Sequence, residues 1–262
     1  MDSFFIGGII FLCILSVHYR FLTIKGSITA FFTGLFIFLS FGWKGLIILG
    51  LFFLTSSLLT KWKKKQKQDG EACEEERYGR TAGQVLANGG VALAAAIFHL
   101  FLKDSVWLVV FVSAFAAAMA DTWASEIGIL SKKQPFHIKE WRKVDKGLSG
   151  AVSWLGTFAA IAGAAIIGTS CYYLYQLESV HMIILIIFAG FIGNMADTFL
   201  GAWFEQRFYC SVCKKETEAA FHCKTKTVKV YGFSWFTNNI VNFLCTLIGG
   251  IIGGGFYLWL IH

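Results

Sequence analysis

A chain of 262 residues that is 56% hydrophobic and 15% charged, with a mean hydropathy of +0.62, carries more apolar surface than a water-soluble fold of that size can bury. Twenty-seven Phe against a single Pro point the same way, to an all-α, polytopic membrane protein. The net charge of +7 does not imply nucleic acid as a partner, because Lys and Arg gather in the cytoplasmic loops of membrane proteins.

A membrane-spanning helix needs about 20 apolar residues, fewer where it is short or broken within the protein. The hydropathy pattern predicts eight spans, over residues 3–22, 27–41, 43–60, 81–102, 105–130, 147–174, 180–204 and 235–261. Residues 4–17 read as the first span and not as a cleavable signal, since no basic region precedes them. Phe41-Gly42-Trp43-Lys44-Gly45 predicts a tight turn between the second and third spans; one broken span is the alternative. The hydrophilic stretches near 61–80, 131–146 and 205–234 hold most of the basic residues. Lys61, Lys63, Lys64, Lys65, Lys67, Arg77 and Arg80 lie in the first, Lys132, Lys133, Lys139, Arg142, Lys143 and Lys146 in the second, and Arg207, Lys214, Lys215, Lys224, Lys226 and Lys229 in the third. Arg20 and Lys25 follow the first span, and the intervening connections hold little beyond Lys44 and Lys103. With eight spans every basic loop falls on one side. The chain is therefore expected to be a single transmembrane domain over 1–262 in the plasma membrane of a prokaryote, with these loops in the cytoplasm and both termini outside.

The polar residues inside the spans collect at that same depth. Gln84 and Asn88 open the fourth span and share a helix face. Ala120-Asp121-Thr122-Trp123-Ala124-Ser125-Glu126-Ile127-Gly128 ends the fifth. A carboxylate at a helix centre costs roughly 2.5–3.5 kcal/mol on insertion, so Asp121 and Glu126 are candidates for function. Met-Ala-Asp-Thr occurs twice, at 119–122 and 195–198, and the second copy brings Asp197 with Asn194 one helical turn before it. Asn238, Asn239 and Asn242 open the eighth span. Hard carboxylate and amide oxygens suit Mg²⁺, which takes one or two carboxylates together with water and substrate phosphates. The same groups could instead cap helices or pair with loop lysines. Lys146-Gly147-Leu148-Ser149-Gly150 and Lys25-Gly26-Ser27 each combine a lysine, a flexible turn and a helix start, a combination that can hold phosphate. Gly249, Gly250, Gly253 and Gly254 form overlapping small-xxx-small pairs and read as helix packing.

Of seven cysteines, Cys13, Cys171 and Cys245 lie in apolar runs and read as small core residues, and Cys73 lies in a charged loop. Cys210-x-x-Cys213 followed by His222-Cys223 offers four ligands that suit a tetrahedral structural Zn²⁺, with reduced, unliganded thiols as the alternative. His18, His99, His137, His181 and His262 have no partner pattern and read as interfacial or loop residues.

RTAGQVLANGGVA (80–92), ADTWASEIG (120–128), KGLSGAVSWLGT (146–157), ADTFLGAWFEQ (196–206), the CxxC…HC loop and TNNIVNFLCT (237–246) occur together and in order. Together they resemble the integral membrane family known as domain of unknown function 92, over nearly the whole chain. That family includes transmembrane protein 19 and the plant phytyl-phosphate kinase of tocopherol synthesis. The resemblance implies, for some members, phosphorylation of an isoprenoid monophosphate to the diphosphate with CTP as donor.

The residues and the resemblance suggest one reading. A membrane-embedded, Mg²⁺-dependent kinase would take a nucleotide, CTP or another NTP, from the cytosol and a polyprenyl-type monophosphate from the lipid. Asp121, Glu126 and Asp197 would hold Mg²⁺. Asn88, Gln84, Asn194, Asn238 and Asn242 would orient the ion, its waters or the phosphates, and Arg80, Lys146 and Lys25 would neutralise phosphate oxygens. A transporter or lipid flippase using the same carboxylates for ion coupling is the alternative, and a non-catalytic scaffold docking partners through its Cys/His loop is the third.

Overall fold

The computed structural model describes residues 2–62, 79–214, 216–217 and 220–261. Lys63, Lys64, Lys65, Lys67, Cys73, Arg77, Lys215 and His262 lie outside the described residues. The helices are α1 (Asp2–His18), α2 (Ile24–Lys61), α3 (Ala82–Leu102), α4 (Val106–Gly128), α5 (Trp154–Tyr175), α6 (His181–Phe204) and α7 (Asn238–Ile261). All but α1 are long and apolar enough to cross a membrane.

At 38 residues, α2 exceeds any bilayer, and it does not run straight. Gly42 takes φ 64°, ψ −160°, a region open to glycine alone, and the helix folds back there. A methyl on Gly34 would lie 3.7 Å from the Leu49 side chain, which a straight helix would hold some 20 Å away. Lys61, at the far end of α2, donates to the Tyr19 carbonyl just before its start. The predicted turn at 41–45 is thus a helical hairpin, and with its two arms counted separately the described residues hold eight helical rods.

The bundle is organised around α4, which packs against α2, α3, α5, α6 and α7. From Phe111 to Ala120 its side chains are inaccessible, and Ala, Ser and Met fill the contact layer. Small residues let the neighbouring backbones close in, since lipid supplies no hydrophobic drive between helices. A methyl on Gly193 of α6 would lie 2.6 Å from the Ala117 methyl of α4 and 2.8 Å from the Cys245 carbonyl of α7. Large apolar side chains such as Phe11, Phe101, Ile184 and Trp259 point outward, as a lipid-facing surface requires.

Three corrections to the predicted boundaries bear on the site. The sixth span does not begin at 147. Gly147 and Gly150 both have φ 86°, residues 151–152 form a strand, and α5 starts after its N-cap Ser153, whose hydroxyl accepts from the Gly156 N–H at 3.1 Å. The stretch 131–153 contains a small antiparallel sheet of β1 (Phe136–His137), β2 (Arg142–Lys143) and β3 (Ala151–Val152), in the order β2-β1-β3. The segment after α6 folds as a second sheet of β4 (Arg207–Tyr209), β5 (Glu216–Thr217) and β8 (Val228–Tyr231), with a separate hairpin of β6 (Phe221–His222) and β7 (Thr225–Lys226).

Candidate functional site

At one end of the bundle, beside residues 19–21, 79–80 and 146–153, lies a cavity of about 750 Å³. Arg80, Gln84, Asn88, Asp121, Glu126, Lys146, Asn194, Asp197, Asn238 and Asn242 all line it. Close helix packing accounts for how the two aspartates meet there. Ala117 and Gly193 touch at the crossing of α4 and α6, and Asp121 and Asp197 each sit one turn further along the same faces. Thr122 and Thr198 follow them and behave alike, donating to the carbonyls of Ala118 (2.9 Å) and Asn194 (3.0 Å). The doubled Met-Ala-Asp-Thr is therefore a repeated local structure on neighbouring helices.

The amides hold the wall together. Asn242, oriented with its amide nitrogen toward the surrounding acceptors, donates to Asp197 Oδ2 at 3.2 Å and to Asn238 Oδ1 at 2.9 Å. Asn88 donates to the Gln84 carbonyl at 3.1 Å, which commits its NH₂ to the helix and leaves Oδ1 for the cavity. Gln84 is half occupied by the helix start. Its Oε1 accepts from the Thr81 N–H at 2.8 Å while its own N–H reaches the Thr81 hydroxyl, a reciprocal cap.

Arg80 is fixed through its backbone. Its N–H donates to Phe21 O at 2.9 Å and its carbonyl accepts from the Thr23 N–H at 3.0 Å, locking the entry to α3 onto the start of α2. Its guanidinium lies over the Phe52 ring, 5.8 Å from the centroid. Burial lowers its pKa, and the negative charge of Glu126, which lines the same cavity, opposes that shift.

This contact also reassigns Lys25-Gly26-Ser27. Gly26 is in tight contact with the Arg80 carbonyl, where a side chain could not fit, and the Ser27 hydroxyl donates to Cys13 O at 3.1 Å. Lys25 is exposed and does not line the cavity. The motif packs against the Arg80 backbone, and Lys25 itself lies outside the cavity lining. Lys61, counted only as a loop charge, does line the cavity, with its ammonium 3.8 Å above the Phe21 ring. Asn239, Ser149 and Ser153 line it as well.

The loop carrying Lys146 rests on a buried ionic network that the sequence did not reveal. His137 is wholly buried and not a surface loop residue. Arg207, 4% exposed, donates to Glu140 Oε1 at 3.0 Å and to Ser149 O at 3.2 Å and contacts His137. The Ser149 hydroxyl donates to the buried Glu205 at 2.6 Å. Burial and the Arg207 charge lower the His137 pKa, so the ring is held neutral. Burial alone would raise Glu140, but hydrogen bonds from Arg207 and Arg142 outweigh it and hold the carboxyl below its usual value. Gly150 fits this layer because a methyl there would lie 2.8 Å from Ala202 Cα.

The donor set fits Mg²⁺ in the mode that uses few protein ligands: hard oxygens from two helices around a space large enough for phosphates. Among the described residues Asp121, Glu126 and Asp197 are not gathered as a three-carboxylate cage. Among the described residues the one group of three or more His, Cys, Asp or Glu with all ligand atoms within 4.8 Å is Cys210, Cys213, His222 and Cys223, which does not line the cavity. There hydrogen bonds from the Cys213 backbone and the His222 side chain pull the Cys210 thiol below its ordinary value.

An all-α bundle of long apolar helices with a polar cavity at one end defines an integral membrane protein with an ionic site at its interface. Residues 7–250 match the family described as Integral membrane protein DUF92, and the chain belongs to that family. An uncharacterized membrane protein of Methanocaldococcus jannaschii is 31% identical, with 94% of this chain and 91% of the relative covered. Protein PGR of Arabidopsis thaliana is 30% identical over 87% of this chain and 86% of its own length. Protein VTE6, chloroplastic, of the same plant is 22% identical over 88% of this chain and 64% of its own. No solved structure matches.

Proposed function

We propose that the cavity transfers a phosphoryl group from a nucleoside triphosphate, CTP in the first instance, to an isoprenoid monophosphate. The observation that carries the reading is the convergence of Asp121, Asp197 and Glu126 with Arg80 and Lys146 on one cavity at one end of the bundle. Two anionic substrates must be brought together there, and positioning with charge neutralisation is most of what phosphoryl transfer asks of a protein. Asp121 and Asp197 would hold Mg²⁺, which when bound neutralises charge on the phosphates. Arg80 and Lys146 would take the remaining phosphate oxygens, and Asn88, Asn194 and Asn238 would orient them. The attacking monophosphate oxygen is already ionised, so no general base is required. It forms the new P–O bond as the nucleoside diphosphate leaves.

Two further observations support a lipid acceptor used from the cytoplasm. A small apolar pocket of about 40 Å³, lined by Leu22, Ala30, Leu49, Phe52 and Phe115, shares Arg80, Gln84 and Asn88 with the cavity, so apolar side chains lie directly beside the groups proposed to meet phosphate. Arg20, Lys61, Arg80 and Lys146 all line the cavity, and by the positive-inside rule that end would face the cytoplasm and both termini the opposite side.

The test is incubation of purified protein with Mg²⁺, labelled CTP, ATP or GTP, and prenyl monophosphates of several chain lengths. Formation of a prenyl diphosphate is the expected result, and the active pair names donor and acceptor. No product with any pair, together with cation-coupled flux in proteoliposomes, would overturn the reading in favour of transport.

A further inference from the structure

Beyond α6 the chain gathers four soft ligand atoms that phosphoryl transfer does not use. Cys210, whose residue is wholly buried, directly follows β4. The next turn brings Cys213 back beside it: the Lys214 N–H donates to Cys210 O at 3.0 Å, and Lys214 adopts φ 58°. In the β6–β7 hairpin Phe221 pairs with Lys226 and His222 with Thr225, which leaves Cys223 and Lys224 as the two turn residues. Both have positive φ, 48° and 57°, in a turn class that favours Asn and Gly. That unfavoured backbone places Cys223 Sγ 3.2 Å from His222 Nδ1, with Cys213 Sγ 3.5 Å away on the same nitrogen. The four ligand atoms all lie within 4.8 Å of one another. Zn–S bonds of about 2.3 Å and Zn–N bonds of about 2.0 Å in a tetrahedron set ligand separations of about 3.5–3.8 Å.

We infer that Cys210, Cys213, His222 through Nδ1, and Cys223 bind one structural Zn²⁺. Four protein ligands close the tetrahedron and leave no position for a reacting water, so the ion fastens the fold and takes no part in chemistry. What it fastens is β4. That strand begins at Arg207, three residues before Cys210, and Arg207 is the residue that holds Glu140 and the Ser149 carbonyl of the loop beside the cavity. The metal thus acts at a distance on the Lys146–Ser153 loop. The inference stands independently of the kinase reading.

The experiment is elemental analysis of the full chain purified in detergent from cells supplied with zinc, alongside Cys213→Ser, Cys223→Ser and, as a control outside the cluster, Cys13→Ser. The wild type and Cys13→Ser are expected to hold about one zinc per chain, and the two cluster variants to lose most of it. Cobalt substitution of the wild type should give intense thiolate-to-metal charge-transfer bands that the cluster variants lack. Hydrogen exchange over 137–152 and 207–231 should rise when the metal is removed. Wild-type protein with no zinc and three freely titratable thiols at Cys210, Cys213 and Cys223 would overturn the assignment, as would iron in place of zinc, or cluster variants that keep full stoichiometry.

Discussion

Asn242 donates to Asp197 Oδ2 and Asn238 Oδ1, so the carboxylate of the second Met-Ala-Asp-Thr is oriented from a third helix. Outer partners of this kind commonly govern metal affinity by about 10–100-fold. Asn242→Ala is therefore expected to raise the Mg²⁺ concentration needed for half-maximal turnover by that factor with little change in thermal stability, measured by Mg²⁺ titration of the rate. Two lysines give a matched pair. Lys146 lines the cavity and Lys25 does not, so Lys146→Ala should raise KM for the phosphorylated substrates while Lys25→Ala keeps wild-type kinetics. Equal effects from the two variants would contradict the phosphate-binding role proposed for Lys146.

Among the elements, α2 depends on one backbone angle. Nothing lies within 4 Å of a methyl built on Gly42, so Gly42→Ala tests conformation alone. With φ 64° and ψ −160° the expected loss is about 1–3 kcal/mol, read as a lower thermal midpoint in detergent. Gly193 tests packing. A valine there would collide with Ala117 and the Cys245 carbonyl, cost about 1–3 kcal/mol and shift Asp197 relative to Asp121, so stability and activity should fall together. The helices were legible in the sequence because lipid demands long apolar runs, and the break at Phe41-Gly42 was legible because no single helix needs so many residues. The start of α5 was not. Leu148, Ala151 and Val152 continue an apolar run, and only the left-handed backbone of Gly147 and Gly150 shows that the chain is still turning there. Strands of two residues, such as β1 to β3, are too short to impose any periodicity.

At the scale of the whole molecule, the cavity residues could be found from sequence because a carboxylate or amide inside an apolar helix is costly and needs a reason. The support beneath them could not. His137, Glu205 and Arg207 lie in hydrophilic segments where charges usually face water, and their burial arises only when β1, β4 and the Ser149 loop stack, with the partly exposed Glu140 at the edge. The packing role of Lys25-Gly26-Ser27 was not legible either, since a lysine before Gly-Ser resembles an anion clamp until Gly26 is seen against the Arg80 carbonyl. The buried network carries a pH signature. His137 and Glu140 both have folded pKa values below their ordinary 6.5 and 4.5, so the unfolded chain binds protons first as pH falls. Stability from His137 is whole above 6.5 and declines below it, and that from Glu140 declines below 4.5, which a series of thermal midpoints from pH 8 to 4 will show. Arg207→Met should weaken that dependence along with the fold of the loop.

The central claim is that Asp121 is part of a Mg²⁺-dependent phosphoryl-transfer site. It is tested most directly by the rate of prenyl diphosphate formation in purified Asp121→Asn protein whose monodispersity and thermal midpoint match the wild type. The account predicts a fall of about a hundredfold or more, since the isosteric amide keeps the shape and removes the charge. A rate equal to that of the wild type, in protein equally well folded, would contradict it.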